Sequence, residues 1–269
     1  MIVFPFILSL AYIYIMIEVY DVKKACDTRL RYINKKLPQP PMRVITTGYS
    51  GSGKSNIIKN FIFNPKMGYC HYYDLIFIIC GSLDDIDEYE RWGKKSKCVY
   101  KDKGKVKELK IQHKLVIKDG ISIDEFNELL SQLEHMEEFQ DKRILFILDD
   151  MIVSNILKNT TTLSPIDTIF IRGRHITDYG LSIIISTQKY NQLKQNIRII
   201  NSTQQILFHG LPTQQLNLIA SELCGGFNEN EFKNLYKKHT REKYSFIVVN
   251  LKEAKEKYIQ DKNFKYITE

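Results

Sequence analysis

Short, nearly uninterrupted apolar runs recur along the sequence, and segments with helically spaced apolar residues separate them. The runs that predict strands cover residues 43–47, 74–80, 143–150, 181–187, 204–210 and 243–250. The segments that predict helices cover residues 54–63, 123–140, 164–172, 213–224, 229–240 and 251–258. Strands of this kind are buried on both faces of a sheet. The alternation therefore predicts an α/β fold, with a mostly parallel sheet and helices on both faces.

Two local signals mark boundaries within this pattern. The prolines of "LPQPP" at 37–41 block a helix and remove backbone donors, so we place a domain boundary there. The chain then divides into an apolar N-terminal segment with a linker, 1–37, and one main domain, 38–269. Further along, Ser164, Pro165 and Asp167 have the spacing of a helix N-terminus with a capping residue.

The N-terminal segment Met1–Ile17 contains no charged side chain, and Lys23, Lys24, Arg29 and Arg31 follow it. Its 17 residues are at the short end of what crosses a bilayer as a helix. As an anchor it would leave the following residues on the cytoplasmic side, and a cleaved signal is disfavoured because it lacks a charged n-region. The alternatives are an apolar strand packed on the main domain, or translation that starts at Met16 or Met42.

Composition narrows the setting and the partners. The net charge of +8 and the isoelectric point near 9.0 suit a polyanionic partner, either nucleic acid or an anionic membrane surface. The five cysteines are scattered and have no zinc-site spacing, so we interpret them as reduced thiols. The pair Cys70 and His71 is interpreted as core or surface residues rather than metal ligands.

A lysine-rich segment, residues 93–110, carries eight lysines against Asp102 and Glu108. One interpretation is a solvated loop or lid, because runs of like charge are common on surfaces. The other is a contact with a nucleic-acid backbone, which would be independent of sequence and sensitive to salt. Both interpretations remain open at this stage.

The clearest chemical signature is "GYSGSGKS" at 48–55, which fits the phosphate-binding pattern G-x-x-x-x-G-K-[ST] at every defined position. It lies between a predicted strand and a predicted helix, so backbone N–H groups and the helix N-terminus face the phosphates of a nucleotide. Lys54 would neutralise phosphate oxygens, and the Ser55 hydroxyl would bind Mg²⁺. The nucleotide-binding set is Gly48, Tyr49, Ser50, Gly51, Ser52, Gly53, Lys54, Ser55 and Asn56.

A second Mg²⁺ ligand is expected on a neighbouring strand. The run "ILFILDD" ends in Asp149 and Asp150, at the carboxyl end of a buried strand, where α/β folds place their ligands. Asp149 is predicted to hold Mg²⁺, and Asp150 to polarise the attacking water. The cofactors that follow are ATP and Mg²⁺.

Two further residues complete the predicted catalytic set, which is Lys54, Asp150, Gln188 and Arg174. Gln188 follows the buried strand "LSIIIST" and could sense the γ-phosphate or orient water, or simply cap the strand end. Arg172, Arg174 and Arg198 are candidates for a cation supplied by a neighbouring subunit, and we favour Arg174. Each arginine taken alone fits a surface or interface ion pair better than a catalytic role.

These pieces, in this order, resemble a known family. "MRVITTGYSGSGKSN", "ILFILDDM", "GRH" and "SIIISTQKY" are similar to the poxvirus-type DNA-packaging ATPases of large DNA viruses and virophages, within the FtsK–HerA superfamily. The resemblance covers about Pro41 to Gly210. It implies a P-loop NTPase fold of the RecA/FtsK–HerA-like type. It also implies a homo-oligomeric ring that drives double-stranded DNA into a preformed capsid, with capsid or portal-type partners, in the host cytoplasm or the virion.

Two features depart from the family's pattern. Asp150 stands where many superfamily members have glutamate, which shortens its reach to water, and the apolar N-terminus is unexpected in a soluble packaging motor.

Two alternative functions remain: a membrane-tethered FtsK-like translocase, associated with the membrane through residues 1–17, and a nucleotide-binding scaffold without motor activity. The N/T-K-x-D motif of small GTPases and the LSGGQ-like signature of ABC ATPases are both missing from the sequence.

Overall fold

The computed structural model describes residues 33–64, 67, 69–95, 97–102, 105–110, 115–150 and 163–267. The apolar segment Met1–Ile17 lies outside these ranges, so its membrane anchor stays a prediction. Across the described ranges, no helix is both long enough and apolar enough to cross a membrane. Ile33, before the proline-rich boundary, and Leu37, its first residue, are buried in the core of the main domain.

Ten strands are described, and eight of them form one sheet. They are β1 (Arg43–Thr47), β2 (Leu75–Cys80), β3 (Lys97–Asp102), β4 (Lys105–Lys110), β5 (Leu115–Asp119), β6 (Ile144–Asp149), β7 (Leu181–Thr187), β8 (Gln204–Phe208), β9 (Phe246–Asn250) and β10 (Ile259–Gln260). The sheet order is β10-β9-β8-β1-β7-β6-β2-β5, and all neighbouring pairs are parallel except β8–β9 and β9–β10, which are antiparallel. This confirms the mostly parallel sheet that the apolar runs predict.

Strand β7 lies between β1 and β6 and pairs with both. The strand that carries Asp149 is therefore two positions away from the strand that leads into the glycine-rich loop, and the expectation of a directly neighbouring strand is wrong. Pairing of Thr47 with Thr187 and of Leu148 with Ile185 sets all three strands in register at their carboxyl ends. The loops that follow them consequently open at one edge of the sheet.

The helices cover both faces of this sheet. They are α1 (Lys54–Phe63), α2 (Tyr69–Tyr72), α3 (Leu83–Lys95), α4 (Ile123–His135), α5 (Glu137–Gln140), α6 (Pro165–Arg172), α7 (Thr213–Leu223), α8 (Glu229–His239) and α9 (Lys255–Tyr258). Successive residues of one strand enter different cores: Val44 packs in the cluster that contains α1, and Ile45 in the cluster that contains α4 and α6. Burial on both faces explains why the strands are almost uninterrupted apolar runs.

Helix α6 begins as its sequence predicts. Asp167 N–H donates to the Ser164 hydroxyl oxygen at 3.2 Å, and Ser164 N–H donates to Asp167 Oδ2 at 2.8 Å. Both bonds together form a capping box, which satisfies backbone donors that the first helical turn leaves open. The predicted helix start at Ser164 is confirmed.

Two predicted helices are shorter than expected. The segment 123–140 is interrupted at Met136, whose extended backbone separates α4 from α5. In the segment 251–258 only α9 is helical, because a turn follows β9: Leu251 N–H donates to Thr203 O at 3.0 Å, and Glu253 N–H donates to Asn250 O at 3.2 Å.

The lysine-rich segment contains two strands rather than a loop. β3 and β4 pair antiparallel as a separate ribbon, from Lys97 opposite Lys110 to Asp102 opposite Lys105. The apolar residues of "KVKELK", Val106 and Leu109, are three positions apart, so the segment lacks the strict alternation that predicts a strand from sequence. The contact of this segment with DNA stays a prediction.

Candidate active site

The glycine-rich loop connects β1 to α1 at the carboxyl edge of the sheet. Gly48 N–H donates to Thr187 O at 3.2 Å, which ties the start of the loop to β7. A Cβ at Gly48 would lie 2.6 Å from Ser52 Oγ and 2.7 Å from Phe208 Cβ, so no larger residue fits there. Gly53, at φ 106°, has a left-handed backbone just before α1 begins at Lys54. The loop thus presents backbone N–H groups at the N-terminus of a helix, which is an anion-binding arrangement.

A cavity of about 260 Å³ opens over this loop. It is lined by Ser50, Gly51, Gly53, Lys54, Ser55, Asn56, Asp85, Asp150 and Tyr244. Most of the predicted nucleotide-binding residues therefore border one space. Within the same loop, the Ser52 side chain is buried. The half-exposed Tyr49 ring packs against the His209 ring.

Lys54 is the cation of this cavity, with only 5 % of its surface exposed. Its Nζ donates to the backbone carbonyl of Tyr49 at 2.9 Å. Burial lowers the pKa of Lys54, and the carboxylates of Asp150, Asp149 and Asp85 oppose that shift. A buried ammonium of this kind is stabilised by an anion, which is what a phosphate chain on the loop would supply.

Asp149 is completely buried at the end of β6. The Tyr89 hydroxyl, on α3, donates to its Oδ2 at 2.9 Å. Burial raises the pKa of Asp149, and the hydroxyls of Ser55, Tyr89 and Ser186 act in the opposite direction.

The Asp149 carboxylate and the Ser55 hydroxyl fit a magnesium site. Among the described residues, Asp149 Oδ1 is buried and has no hydrogen-bond partner of normal geometry. A buried carboxylate oxygen left without a donor is unfavourable, and Mg²⁺ prefers oxygen ligands of these two types, together with water and phosphate. Asp149 and Ser55 are the side chains that would hold the ion here.

Asp150 and Gln188 meet across the ends of β6 and β7. Gln188 Nε2 donates to Asp150 Oδ1 at 3.0 Å, with Oδ2 at 3.4 Å. Asp150 has a left-handed backbone, φ 51°, which is uncommon outside glycine and turns its carboxylate towards the cavity that it lines. Gln215 Nε2 reaches the Gln188 carbonyl at 3.4 Å and holds the turn from the other side. A hydrogen-bonded carboxylate beside the phosphate loop is placed to orient water.

The three candidate arginines have different surroundings. Arg198 is buried, its Nε and Nη2 donate to the two carboxylate oxygens of Glu222, and its guanidinium lies 4.9 Å from the Tyr190 ring centroid. Because this pairing occupies its charge within the fold, Arg198 is a structural residue. Arg172 forms a 2.7 Å ion pair with Glu134 on the surface. The exposed Arg174 contacts only the neighbouring His175 ring, at 2.8 Å, among the polar partners described for its side chain.

Arg174 lies at the opposite edge of the sheet from the cavity. A Cβ added at Gly180, immediately before β7, would lie 3.0 Å from Arg174 Cα. Gln188 follows the other end of this seven-residue strand, and seven extended residues span about 23 Å. An arginine side chain does not bridge that length. Arg174 therefore cannot complete the cavity of its own chain, and a role on a neighbouring subunit's site stays a prediction.

Sequence reasoning missed four residues of this site: Asp85 and Tyr89 on α3, and His209 and Tyr244 near β8 and β9. Asp85 and Tyr89 are one helical turn apart, so they face the same side of α3. That spacing was the available signal, but its meaning depends on the packing of α3 against β2 and β5, which brings Tyr89 to Asp149. His209 and Tyr244 carried no signal, because they come together only through the pairing of β8 with β9.

Comparisons with known proteins identify the fold. No protein-family model matches the sequence, and no curated protein matches it. Among solved structures, the DNA-packaging ATPase of Sulfolobus turreted icosahedral virus is similar at 20 % identity and a TM-score of 0.58, over 82 % of this chain and 97 % of that one. The genome-packaging NTPase of Sulfolobus turreted icosahedral virus 2, in complex with ATP-gammaS, is similar at 19 % identity and a TM-score of 0.57, over 83 % and 98 % of the two chains. The chain has the P-loop NTPase fold.

Proposed function

We propose that this chain is an ATPase that translocates double-stranded DNA and packages a viral genome into a preformed capsid. One observation carries the hydrolytic part of the proposal. Lys54, Ser55 and Asp150 line one cavity at the carboxyl edge of three strands in register. Gln188 donates to Asp150, and the buried Asp149 ends β6 directly before Asp150. A phosphate cation, metal-binding oxygens and a water-orienting pair together suit the attack of water on a γ-phosphate.

Each residue has one role in this reaction. The N–H groups of the loop and the α1 N-terminus bind the phosphate chain, and Lys54 exchanges its bond to the Tyr49 carbonyl for phosphate oxygens. Mg²⁺, held by Ser55 and Asp149, supplies charge neutralisation when bound. Asp150 accepts a proton from the attacking water and orients it, while Gln188 fixes the rotamer of that carboxylate.

The DNA part of the proposal has separate support. The two structural relatives named above are described as a DNA-packaging ATPase and a genome-packaging NTPase. The net charge of +8 suits a polyanionic partner. Arg174, exposed at the far edge of β7, fits a ring in which one subunit completes the site of the next. Capsid or portal-type proteins would then be partners, in the host cytoplasm or the virion.

ATPase turnover measured with and without double-stranded DNA, alongside the size of the same sample, tests the proposal. We expect assembled protein to hydrolyse ATP faster when DNA is present. The Lys54→Ala variant is the control, and it should lose hydrolysis because the phosphate cation is gone. Turnover that DNA leaves unchanged in assembled protein would count against a translocase. Tight nucleotide binding with negligible turnover would instead favour a scaffold.

A membrane-tethered translocase is the second candidate, and the uncharged segment Met1–Ile17 favours it. The experiment is sedimentation of the full chain with membranes after a high-salt wash, which removes proteins held by charge alone. A variant that lacks residues 1–17 is the control. Retention of the full chain and loss of the truncated one would support the tether, and release of both would exclude it.

A further inference from the structure

Two exposed aromatic rings lie near the phosphate loop, and one of them lines the cavity. Tyr244, which lines the cavity, is 55 % exposed, and Tyr49, within the glycine-rich loop, is 40 % exposed. The roles proposed above for the hydrolytic residues use neither ring. Large aromatic side chains exposed at a cavity mouth are candidates for binding a flat, apolar ligand surface.

The sheet order indicates which part of a nucleotide reaches them. β1 carries the phosphate loop, with β7 and then β6 on one side of it and β8 and then β9 on the other. Asp150 and Gln188 lie on the β7 side, so the γ-phosphate must face that side to meet them. The remainder of the nucleotide then extends in the other direction, towards His209 after β8 and Tyr244 before β9.

Tyr244 is held in place by a specific contact. Its backbone has φ 66°, an uncommon conformation for a bulky residue. The Tyr244 N–H donates to His209 Nδ1 at 3.2 Å, and the ring edge packs near Gly53, where an added Cβ would lie 3.4 Å from Tyr244 Cδ1. The unfavourable backbone is thus fixed by its neighbours, and the ring stays directly beside the last glycine of the phosphate loop.

His209 connects the two tyrosines. Because its Nδ1 accepts from Tyr244, the neutral ring carries its hydrogen on Nε2, which donates to the Tyr49 hydroxyl at 2.6 Å. Gly210 then leaves room for the Tyr49 ring, since a Cβ there would lie 2.6 Å from Tyr49 Cε1. Tyr49, His209 and Tyr244 form a linked aromatic cluster, in which Tyr244 lines the cavity.

We propose that the Tyr244 ring stacks on the base of the bound nucleotide, and that His209 and Tyr49 position this ring. The inference rests on the proposed function, because it needs phosphates on the glycine-rich loop. Stacking on an aromatic face depends on the size of the π-surface. The site should accordingly bind purine nucleotides more tightly than pyrimidine nucleotides.

The test compares ATP, CTP and inorganic tripolyphosphate, each titrated with Mg²⁺ into wild type, Tyr244→Asn and Tyr244→Phe in a calorimeter. Asparagine removes the ring but tolerates a left-handed backbone, so the fold is kept. We expect Tyr244→Asn to weaken ATP binding roughly ten- to a hundredfold, CTP binding less, and tripolyphosphate binding not at all. Tyr244→Phe should match wild type.

The outcomes separate the two proposals. Unchanged ATP affinity in Tyr244→Asn, or an equal loss for tripolyphosphate, would overturn the stacking role while leaving phosphate binding in place. Failure of the wild type to bind either ATP or tripolyphosphate would overturn the proposed function, and the stacking role with it.

Discussion

The side-chain amide of Gln188 donates to the carboxylate of Asp150 at 3.0 Å, and this bond joins the ends of β7 and β6 directly above the phosphate loop. A carboxylate held in this way presents its second oxygen in a fixed direction. Orientation of water before attack is worth several orders of magnitude in rate when the geometry is held.

Replacement of Gln188 by alanine should therefore slow hydrolysis by about 10²- to 10⁴-fold, with little change in nucleotide affinity. The amide touches Asp150 and not the residues that bind the phosphate chain. Single-turnover hydrolysis and equilibrium ATP binding, measured on the same preparation, check this. Gln195→Ala, at an exposed position, is the matched control and should hydrolyse ATP at the wild-type rate. A parallel loss of binding and turnover would point to a structural role instead.

Replacement of Tyr89 by phenylalanine should weaken Mg²⁺ binding. The variant keeps the buried ring but removes the hydroxyl that donates to Asp149 Oδ2 at 2.9 Å. Loss of a hydrogen bond to a metal-binding side chain commonly reduces metal affinity by about 10- to 100-fold. Because the Tyr89 hydroxyl lowers the pKa of Asp149, its removal should also shift Mg²⁺ binding to higher pH.

Both effects of Tyr89→Phe, on Mg²⁺ affinity and on its pH dependence, are measured by thermal melting. The melting temperature is recorded at a series of Mg²⁺ concentrations and pH values, with ADP present. Tyr73→Phe is the control, since Tyr73 is another buried tyrosine of the same core cluster, and it is Tyr89 whose hydroxyl donates to Asp149. Equal Mg²⁺ responses of the two variants would contradict a positioning role for Tyr89.

Replacement of Asp149 by asparagine should stabilise the Mg²⁺-free protein at neutral pH and abolish Mg²⁺-dependent hydrolysis. Burial raises the pKa of Asp149 above 3.8, so the folded state binds more protons than the unfolded state. The free energy of unfolding of the wild type therefore falls as the pH rises from about 3.8 through the pKa that Asp149 has in the folded state. Asp149→Asn does not lose this stability, because asparagine does not ionise.

The measurement is the melting temperature of wild type and Asp149→Asn in EDTA from pH 4 to pH 8. The melting temperature of Asp149→Asn should exceed that of the wild type by a difference that grows with pH. In a chain of this size, each kcal/mol of added stability raises the melting temperature by about 2–4 °C. Asp87→Asn, which removes an exposed carboxyl of α3, is the control and should follow the wild type. A gap that stays constant with pH would contradict the burial of a charged Asp149.

Arg174 should act on the site of a neighbouring subunit. Arg174→Ala and Lys54→Ala are each expected to be inactive, the first because loss of such a cation commonly lowers turnover about 10³- to 10⁵-fold. In a mixed assembly, an Arg174→Ala subunit keeps its own phosphate loop and receives Arg174 from a Lys54→Ala neighbour. Mixing the two variants should therefore restore part of the activity.

The control for this complementation is Arg172→Ala, which removes only a surface ion pair with Glu134 and should remain active by itself. Two inactive variants that stay inactive on mixing, at a concentration where the protein assembles, would contradict action between subunits.

The sequence predicts those parts of the site that depend on local patterns. The phosphate loop is recognisable because Gly48, Gly53, Lys54 and Ser55 occupy fixed spacings, and α1 begins at Lys54 as expected. β7 is recognisable because its seven residues are all buried and apolar or small. Asp149, Asp150 and Gln188 then follow from the ends of such strands.

Other parts depend on packing between distant segments, which no local pattern encodes. The insertion of β7 between β1 and β6 reflects strand order, and sequence spacing carries no information about it. Tyr89 becomes a partner of Asp149, 60 residues further along the chain, only when α3 packs on β2 and β5. β5 is short, with two of its five residues charged, so its apolar run is too brief to predict a strand.

The hydrogen bond from Lys54 to the carbonyl of Tyr49 bears on how fast product leaves. Without a ligand, the Lys54 ammonium still donates to an acceptor inside its own loop. The departure of a nucleotide therefore does not leave this buried charge without a hydrogen-bond partner. That carbonyl competes with phosphate for the same donor, which lowers the net affinity for nucleotide and the barrier to its dissociation. An enzyme with such an internal competitor releases ADP more readily, and its cycle is less prone to stall in the product-bound state.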